Sequence, residues 1–221
     1  MRPSSMILSG AVATIATVAS AQASVLLDIW TTAQSIAPTY YDDGTVNLAV
    51  GSAFNTRYFG ASSPATGDAD GRLVSMTGGS GSLTVTFAAT PGLLSNGYAA
   101  IVWGADTSVS LSQQTAIQFN VTGIVGSFQA YLNIFDGSKY RAKWVTVNSE
   151  GLQSLSLSDW TESNGGTIKM HQITNLTLEF WSATTAAEQS ITIGAVSAVP
   201  APGALVLLAA GGIAGSRRRT F

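Results

Sequence analysis

The chain has no cysteine and a single histidine, His171, in 221 residues. The missing thiols exclude disulfide scaffolds, thiolate metal sites and cysteine nucleophiles. One imidazole excludes any site that needs two. Charge is scarce as well: Asp, Glu, Lys and Arg together make 10%, against roughly a quarter in an average soluble domain. Disorder requires low hydrophobicity with high charge, and a chain that is 46% hydrophobic does not meet that description. No His-Glu-x-x-His, no Gly-x-Ser-x-Gly and no phosphate-binding glycine loop ending in Lys occurs. The run Gly78-Gly79-Ser80-Gly81-Ser82 precedes a strand pattern rather than a helix. It therefore has no helix N-terminus to offer a phosphate, and reads as a turn.

What the chain has is apolar sequence concentrated at both ends. Met1 and Arg2 precede an apolar stretch from Met6 to Ala19, followed by Ala21-Gln22-Ala23. A charged start, an apolar middle and a small-x-small site make a secretory signal peptide over residues 1–23. The cut is expected before Ser24, with Gln22 as the alternative. Export of this kind uses the Sec translocon and signal peptidase. At the other end Val199-Pro200-Ala201-Pro202 leads into an uncharged stretch, Gly203 to Gly215, and then Arg217-Arg218-Arg219. Thirteen helical residues span about 20 Å, short of the roughly 30 Å hydrocarbon core. Snorkelling arginines or a helix starting near Pro202 help to close that gap. The arginines belong on the cytoplasmic side, which leaves the main body outside the cytoplasm.

This order of parts over residues 199–221 resembles the PEP-CTERM sorting signal: Val199, Pro200 and Pro202, a short apolar helix, then Arg217, Arg218 and Arg219. The name-giving glutamate of that signal is Ala201 here, giving Pro-Ala-Pro. The resemblance implies a Gram-negative bacterium and recognition by an exosortase, a membrane protease-transpeptidase that cuts near the motif. It also implies a precursor held transiently in the inner membrane, then delivered to the cell envelope or extracellular matrix.

Removing both ends leaves residues 24–198, enough for one domain with a real core. Four of the ten basic residues (Arg2 and the tail arginines) go with the ends. Six remain against all twelve acids, a net of −6. An acidic, sparsely charged body is a poor nucleic-acid binder. Its local basic patch, Lys139, Arg141 and Lys143, reads as a solvated strand face.

The body reads as β throughout. Leu83, Val85 and Phe87 alternate with threonines; Ile117, Phe119 and Val121 with Gln118 and Asn120. The same period of two runs through Phe128–Ile134, Leu155–Leu157, Leu176–Phe180 and Ile191–Ile193. Such alternation buries one face and exposes the other. Turns are expected at Asp42-Asp43-Gly44, Thr77–Gly81, Asp136-Gly137-Ser138 and Asn164-Gly165-Gly166. Asp136-Gly137 between two strand patterns is a hairpin signal. The expected fold is an all-β antiparallel sandwich of jelly-roll type, flanked by the N-terminal signal helix and a C-terminal hydrophobic helix. From Ala116-Ile117-Gln118-Phe119-Asn120-Val121, through Leu155–Trp160 and Ile173–Phe180, to Ile191-Thr192-Ile193, the strand order resembles galactose-binding-like and carbohydrate-binding-module jelly rolls. Such folds host sugar binding, calcium sites and adhesion alike.

Few residues suggest chemistry. His171 has no orienting acid nearby in sequence, which a general base needs. Twelve carboxylates could supply a glycosidase pair, but nothing in the pattern singles out two, so no catalytic residue is assigned and the protein is expected not to be an enzyme. Asp68-Ala69-Asp70-Gly71 resembles the start of an EF-hand loop without its closing acid, making Asp68 and Asp70 candidate calcium ligands. Asp42 and Asp43 are the second candidates. No other cofactor is implied. Tyr131, Trp144, Trp160 and Trp181 form the candidate ligand surface: the strand parity of Tyr131 and Trp181 is polar, Trp144 lies just past the hairpin, and Trp160 is in a loop. The first reading is therefore an exported, non-catalytic envelope or matrix protein, and the alternative is a carbohydrate-binding module for exopolysaccharide. Replacing Arg217, Arg218 and Arg219 together with Ser should release the precursor into the periplasm, because these charges resist translocation. Cell fractionation checks this, and unchanged membrane retention and processing would reject it.

Overall fold

The period-two pattern closes into two facing sheets. The computed structural model describes residues 23–48, 52–62, 72–89, 97–183 and 187–200. Among them are fourteen strands and no helix. In chain order they are β1 (Val25–Asp28), β2 (Gln34–Thr39), β3 (Tyr41–Asn47), β4 (Thr56–Ser62), β5 (Val74–Gly79), β6 (Ser82–Phe87) and β7 (Tyr98–Val109). Then follow β8 (Ala116–Val125), β9 (Phe128–Phe135), β10 (Tyr140–Val147), β11 (Gly151–Ser156), β12 (Glu162–Ser163), β13 (Ile173–Ser182) and β14 (Gln189–Val199). The first sheet runs β11-β8-β14-β6-β5-β2, with β1 also paired to β14; the second runs β12-β10-β9-β13-β7-β4-β3. Pairing is antiparallel throughout. In each sheet a late strand inserts between two earlier ones: β14 between β6 and β8, β13 between β7 and β9. That interleaving is the jelly-roll crossing. The protein is an all-β antiparallel sandwich, as the alternation predicts.

The core lies between the sheets. Leu83, Val85, Phe87, Ile117, Phe119, Ile191 and Ile193 face it from the first sheet; Phe59, Ile101, Leu132, Leu176, Leu178 and Phe180 face it from the second, all at most 1% exposed. Phe119 meets Phe180 edge-on at 6.0 Å and Phe87 meets Phe128 at 5.7 Å, so the two layers interdigitate. A buried ion pair joins them: Arg57 of β4 donates from Nη1 to Asp28 Oδ2 of β1 at 2.8 Å. Both side chains are at least 97% buried. Trp103 Nε1 donates to the same oxygen at 3.0 Å and the Trp30 amide to Oδ1 at 2.8 Å. The guanidinium is completed by Gln34 Oε1 and the Thr32 carbonyl, and lies over the rings of Trp30 and Phe59.

Two local expectations are corrected. Asp42-Asp43-Gly44 is not a turn but the middle of edge strand β3, paired residue for residue with β4. Tertiary pairing overrides the turn preference of Asp and Gly, and the charges suit an edge by discouraging strand addition. Asp42 and Asp43 therefore point to opposite faces and cannot converge on one ion. Lys143 is not on a solvated face either. It pairs opposite Leu132 on the core parity and is 7% exposed, its Nζ donating to the Ser158 carbonyl at 3.1 Å. The lysine instead reaches along the core side to the loop after β11, where burial pulls its pKa down. The Asp136-Gly137-Ser138 turn forms as expected between β9 and β10. Its carboxylate accepts the backbone amides of Lys169, Lys139 and Ser138, which hold it well below the usual carboxylate range.

Ala21, Pro202, Arg217, Arg218 and Arg219 lie outside the described residues, as do the segments expected to form the two flanking helices and the candidate calcium ligands Asp68 and Asp70. Ala23 and Ser24 are exposed just before β1; Val199 ends β14, with Pro200 following.

Leu178 is fully buried, while Thr177 is on the outer face. An unpaired carboxylate in the core costs several kcal/mol, about the whole stability of a small domain. Leu178→Asp should therefore unfold the body, and Thr177→Asp should melt within a few degrees of the parent. Thermal melts followed by circular dichroism check this; similar behaviour of the two variants would contradict the register.

Candidate functional site

The outer face of the second sheet carries an unusual set of side chains. Read across β10, β9, β13, β7, β4 and β3, one row is Trp144, Tyr131, Glu179, Ala100, Gly60 and Asp43. The row on one side is Thr146, Gln129, Trp181, Tyr98, Ser62 and Tyr41. The row on the other is Ala142, Asn133, Thr177, Val102, Tyr58 and Thr45, with Glu162 of β12 beside Ala142. Aromatic rings therefore run from Trp144 and Tyr131 through Trp181 and Tyr98 to Tyr41 and Tyr58, with Ala100 and Gly60 as a floor of small residues beside them.

The rings form a connected strip. Tyr98 stacks on Trp181 at 4.6 Å and 17°, Trp181 meets Trp144 edge-on at 5.7 Å, and Trp144 meets Tyr131 at 4.6 Å. Carboxylates hold the polar edges of these rings. Trp181 Nε1 donates to Glu179 Oε2 at 2.7 Å; Trp144 Nε1 and the Tyr131 hydroxyl donate to the two oxygens of Glu162 at 2.8 and 3.1 Å. Indoles anchored in this way keep their faces in fixed orientations, which lowers the entropic cost of stacking on them. Burial, with Glu162 beside it, pushes Tyr131 up to about 12; burial also raises Glu179 above the ordinary glutamate value.

Beside the strip, Tyr41, Tyr58, Tyr98, Gly60, Ala100 and Glu179 border a groove of about 210 Å³. Gly60 is needed for its shape. A Cβ there would stand 2.8 Å from Cε1 and 3.0 Å from the hydroxyl oxygen of Tyr58, so a side chain at this position would displace that ring. Asp43 accepts from the Tyr41 hydroxyl at 3.3 Å and faces Tyr58, which burial and that charge push up to about 12. The groove thus offers flat apolar walls with acceptor oxygens at two places. It has no nucleophile paired to a base. Among the described residues no group of three or more His, Asp or Glu is placed to hold a metal ion.

No family model matches the chain, and no curated protein matches it. Among solved structures it is similar to the family 11 carbohydrate-binding module of the cellulosomal cellulase Lic26A-Cel5E of Clostridium thermocellum, at 12% identity and a TM-score of 0.44, covering 82% of this chain and 97% of that one. It is similar to the same type of module in complex with a β-1,3-1,4-mixed-linked tetrasaccharide, at 12% identity and a TM-score of 0.43, covering 80% of this chain and 96% of that one. It is also similar to an agarase, AgWH50C, at 12% identity and a TM-score of 0.41, covering 58% of this chain; the matched part is 22% of the agarase. Likenesses of this size do not bear on ligand.

Of the four aromatic residues singled out in the sequence, Tyr131, Trp144 and Trp181 come together in the strip. Trp160 does not join them. It packs against the core at the rim, under the Lys143 ammonium at 5.7 Å, and lines a separate open hollow of about 330 Å³ with Arg141, Thr161, Glu162 and Ser163. His171 is exposed in the loop before β13. Sequence reasoning missed Tyr41, Tyr58, Tyr98, Gly60 and Asp43 as members of this face. In β4 the order Tyr58-Phe59-Gly60-Ala61 does not alternate in polarity, and Tyr98-Ala99-Ala100-Ile101-Val102 in β7 is apolar throughout. Neither strand announces which face is outside.

Proposed function

We propose that this chain is an exported, non-catalytic polysaccharide-binding module of the envelope or extracellular matrix, and that it binds on the outer face of the second sheet. The observation that carries the reading is the strip Tyr98–Trp181–Trp144–Tyr131, half-buried to exposed on a sheet face rather than in the core. Sugar rings have apolar C–H faces that stack on indole and phenol rings, and hydroxyl edges that donate to carboxylates. This face supplies both. None of the six aromatic side chains on these rows belongs to the core cluster, so core packing does not account for them. The signal peptide and the sorting tail are the support for export, and delivery of the mature protein to an extracellular polysaccharide gives such a surface a use.

The outer face of the first sheet provides the internal control. Across β5, β6 and β14 it presents Thr77, Thr84 and Thr192, with Leu152 exposed on β11. Affinity electrophoresis through gels containing soluble polysaccharides tests the reading. Trp144→Ala should weaken retention about tenfold, equivalent to about 1.4 kcal/mol, with little change in melting temperature because Trp144 is 42% exposed. Leu152→Ala should leave retention unchanged. Equal loss in both variants, or none in Trp144→Ala, would reject the site.

A further inference from the structure

Extending that reading, we infer that the face selects uncharged polysaccharides and rejects polyanionic ones such as uronate or sulphated chains. The inference rests on the proposed binding face and on where the charges of the sandwich lie. Every charged side chain on the rows just described is a carboxylate: Asp43 at one end, Glu179 at the centre and Glu162 at the other end. None of the six cations of the body lies on these rows, although Arg141 lines the rim hollow beside Glu162. Arg57 and Arg72 are fully buried, and Lys143 is buried at the rim. Arg141 has core parity opposite Ile134 and donates to the Gly166 carbonyl. Lys139 belongs to the β9–β10 turn and Lys169 to the loop before β13. A polyanion laid across Glu179 and Asp43 meets two carboxylates and no cation on these rows.

The geometry makes the encounter hard to avoid. Neighbouring strands stand roughly 4.8 Å apart, and an extended β-linked polysaccharide advances by about 5 Å per sugar. A chain lying across the strands therefore passes one sugar per strand and meets Glu179 and Asp43 in the same pass as the aromatic strip. Both ends of its path are exposed, at Trp144 and at Tyr41, which is 71% exposed. Glu179 is placed to discriminate most strongly. It is half-buried beside the groove, with Oε2 already taken by Trp181, and a second negative charge brought against it there is poorly screened. A sugar hydroxyl donating to its other oxygen meets no such opposition. The same placement of acids accounts for the acceptor side of recognition, since hydroxyls donate and carboxylates accept.

The test uses the full chain in mild detergent and matched pairs of polymers that differ in charge: hydroxyethyl cellulose against carboxymethyl cellulose, and agarose against carrageenan. Retention is measured by affinity electrophoresis at low and at physiological salt. The expected result is retention by an uncharged member with little dependence on salt, and at least about tenfold weaker retention by its charged partner, the gap narrowing as salt rises. Asp43→Asn combined with Glu179→Gln should narrow the ratio of retention between the two members of a pair at low salt, and an unchanged ratio would overturn the inference. Equal retention of both members of a pair, or preference for the charged one, would overturn the inference and leave polysaccharide binding standing. Retention by none of the four polymers would count against both.

Discussion

A single buried carboxylate ties the architecture together. Asp28 sits in β1, a strand of the first sheet, yet its oxygens take Arg57 from β4 and the Trp103 indole from β7, both in the second. Removing one partner of such a pair leaves an uncompensated charge in the core and costs about 3–5 kcal/mol. That penalty enforces register. In β4, Arg57 must point inward, and so Tyr58 and Gly60 must point outward. In β7, Trp103 must point inward, and so Ala100 and Tyr98 are on the outer face. The floor and one wall of the groove are thus fixed by a charge pair on the opposite side of the same strands.

The second sheet therefore has two unlike faces. The inner one is aliphatic and aromatic packing around the Asp28–Arg57 pair. The outer one repeats the aromatic theme but ties its rings to carboxylates instead of to each other's edges alone. Glu162, from two-residue β12, anchors both Trp144 and Tyr131, so a very short edge strand orients the most exposed indole of the strip. A chain with 10% charged residues spends three of its acids on this one face. Away from the rim, where Arg141 borders Glu162, the rows of this face carry acceptors and stacking surfaces and no cation.

Much of this is legible in the sequence, and the parts that are not share a cause. The alternating runs in β6, β8, β9 and β13 give the fold class and put Leu178 inside and Trp181 outside without reference to any partner strand. Asp136-Gly137 marks its hairpin because the turn is stabilised locally, by its own carboxylate and nearby amides. The groove is another matter. Tyr58, Gly60 and Tyr98 come from strands with no clear alternation of polarity, whose orientation is decided by Arg57 and Trp103 binding a residue 29 and 75 positions earlier. Asp42-Asp43-Gly44 reads as a turn because its local preference is for one, and only pairing to β4 makes it a strand. Lys143 reads as solvated because sequence does not show that it pairs opposite Leu132 and reaches the Ser158 carbonyl. In each case a long-range contact outweighs a local propensity.

Two indoles lie on the proposed binding face and two in the core, which makes the tryptophan side-chain N–H signals the most direct witness of binding there. Trp144 and Trp181 donate to Glu162 and Glu179 on the outer face; Trp30 and Trp103 donate to the Gly194 carbonyl and Asp28 inside. Titration of the nitrogen-15-labelled protein with oligosaccharides of an uncharged polymer that retains it should shift the Trp144 and Trp181 resonances progressively. Those of Trp30 and Trp103 should stay in place. Binding that moves backbone signals elsewhere while Trp144 and Trp181 remain still would contradict the account.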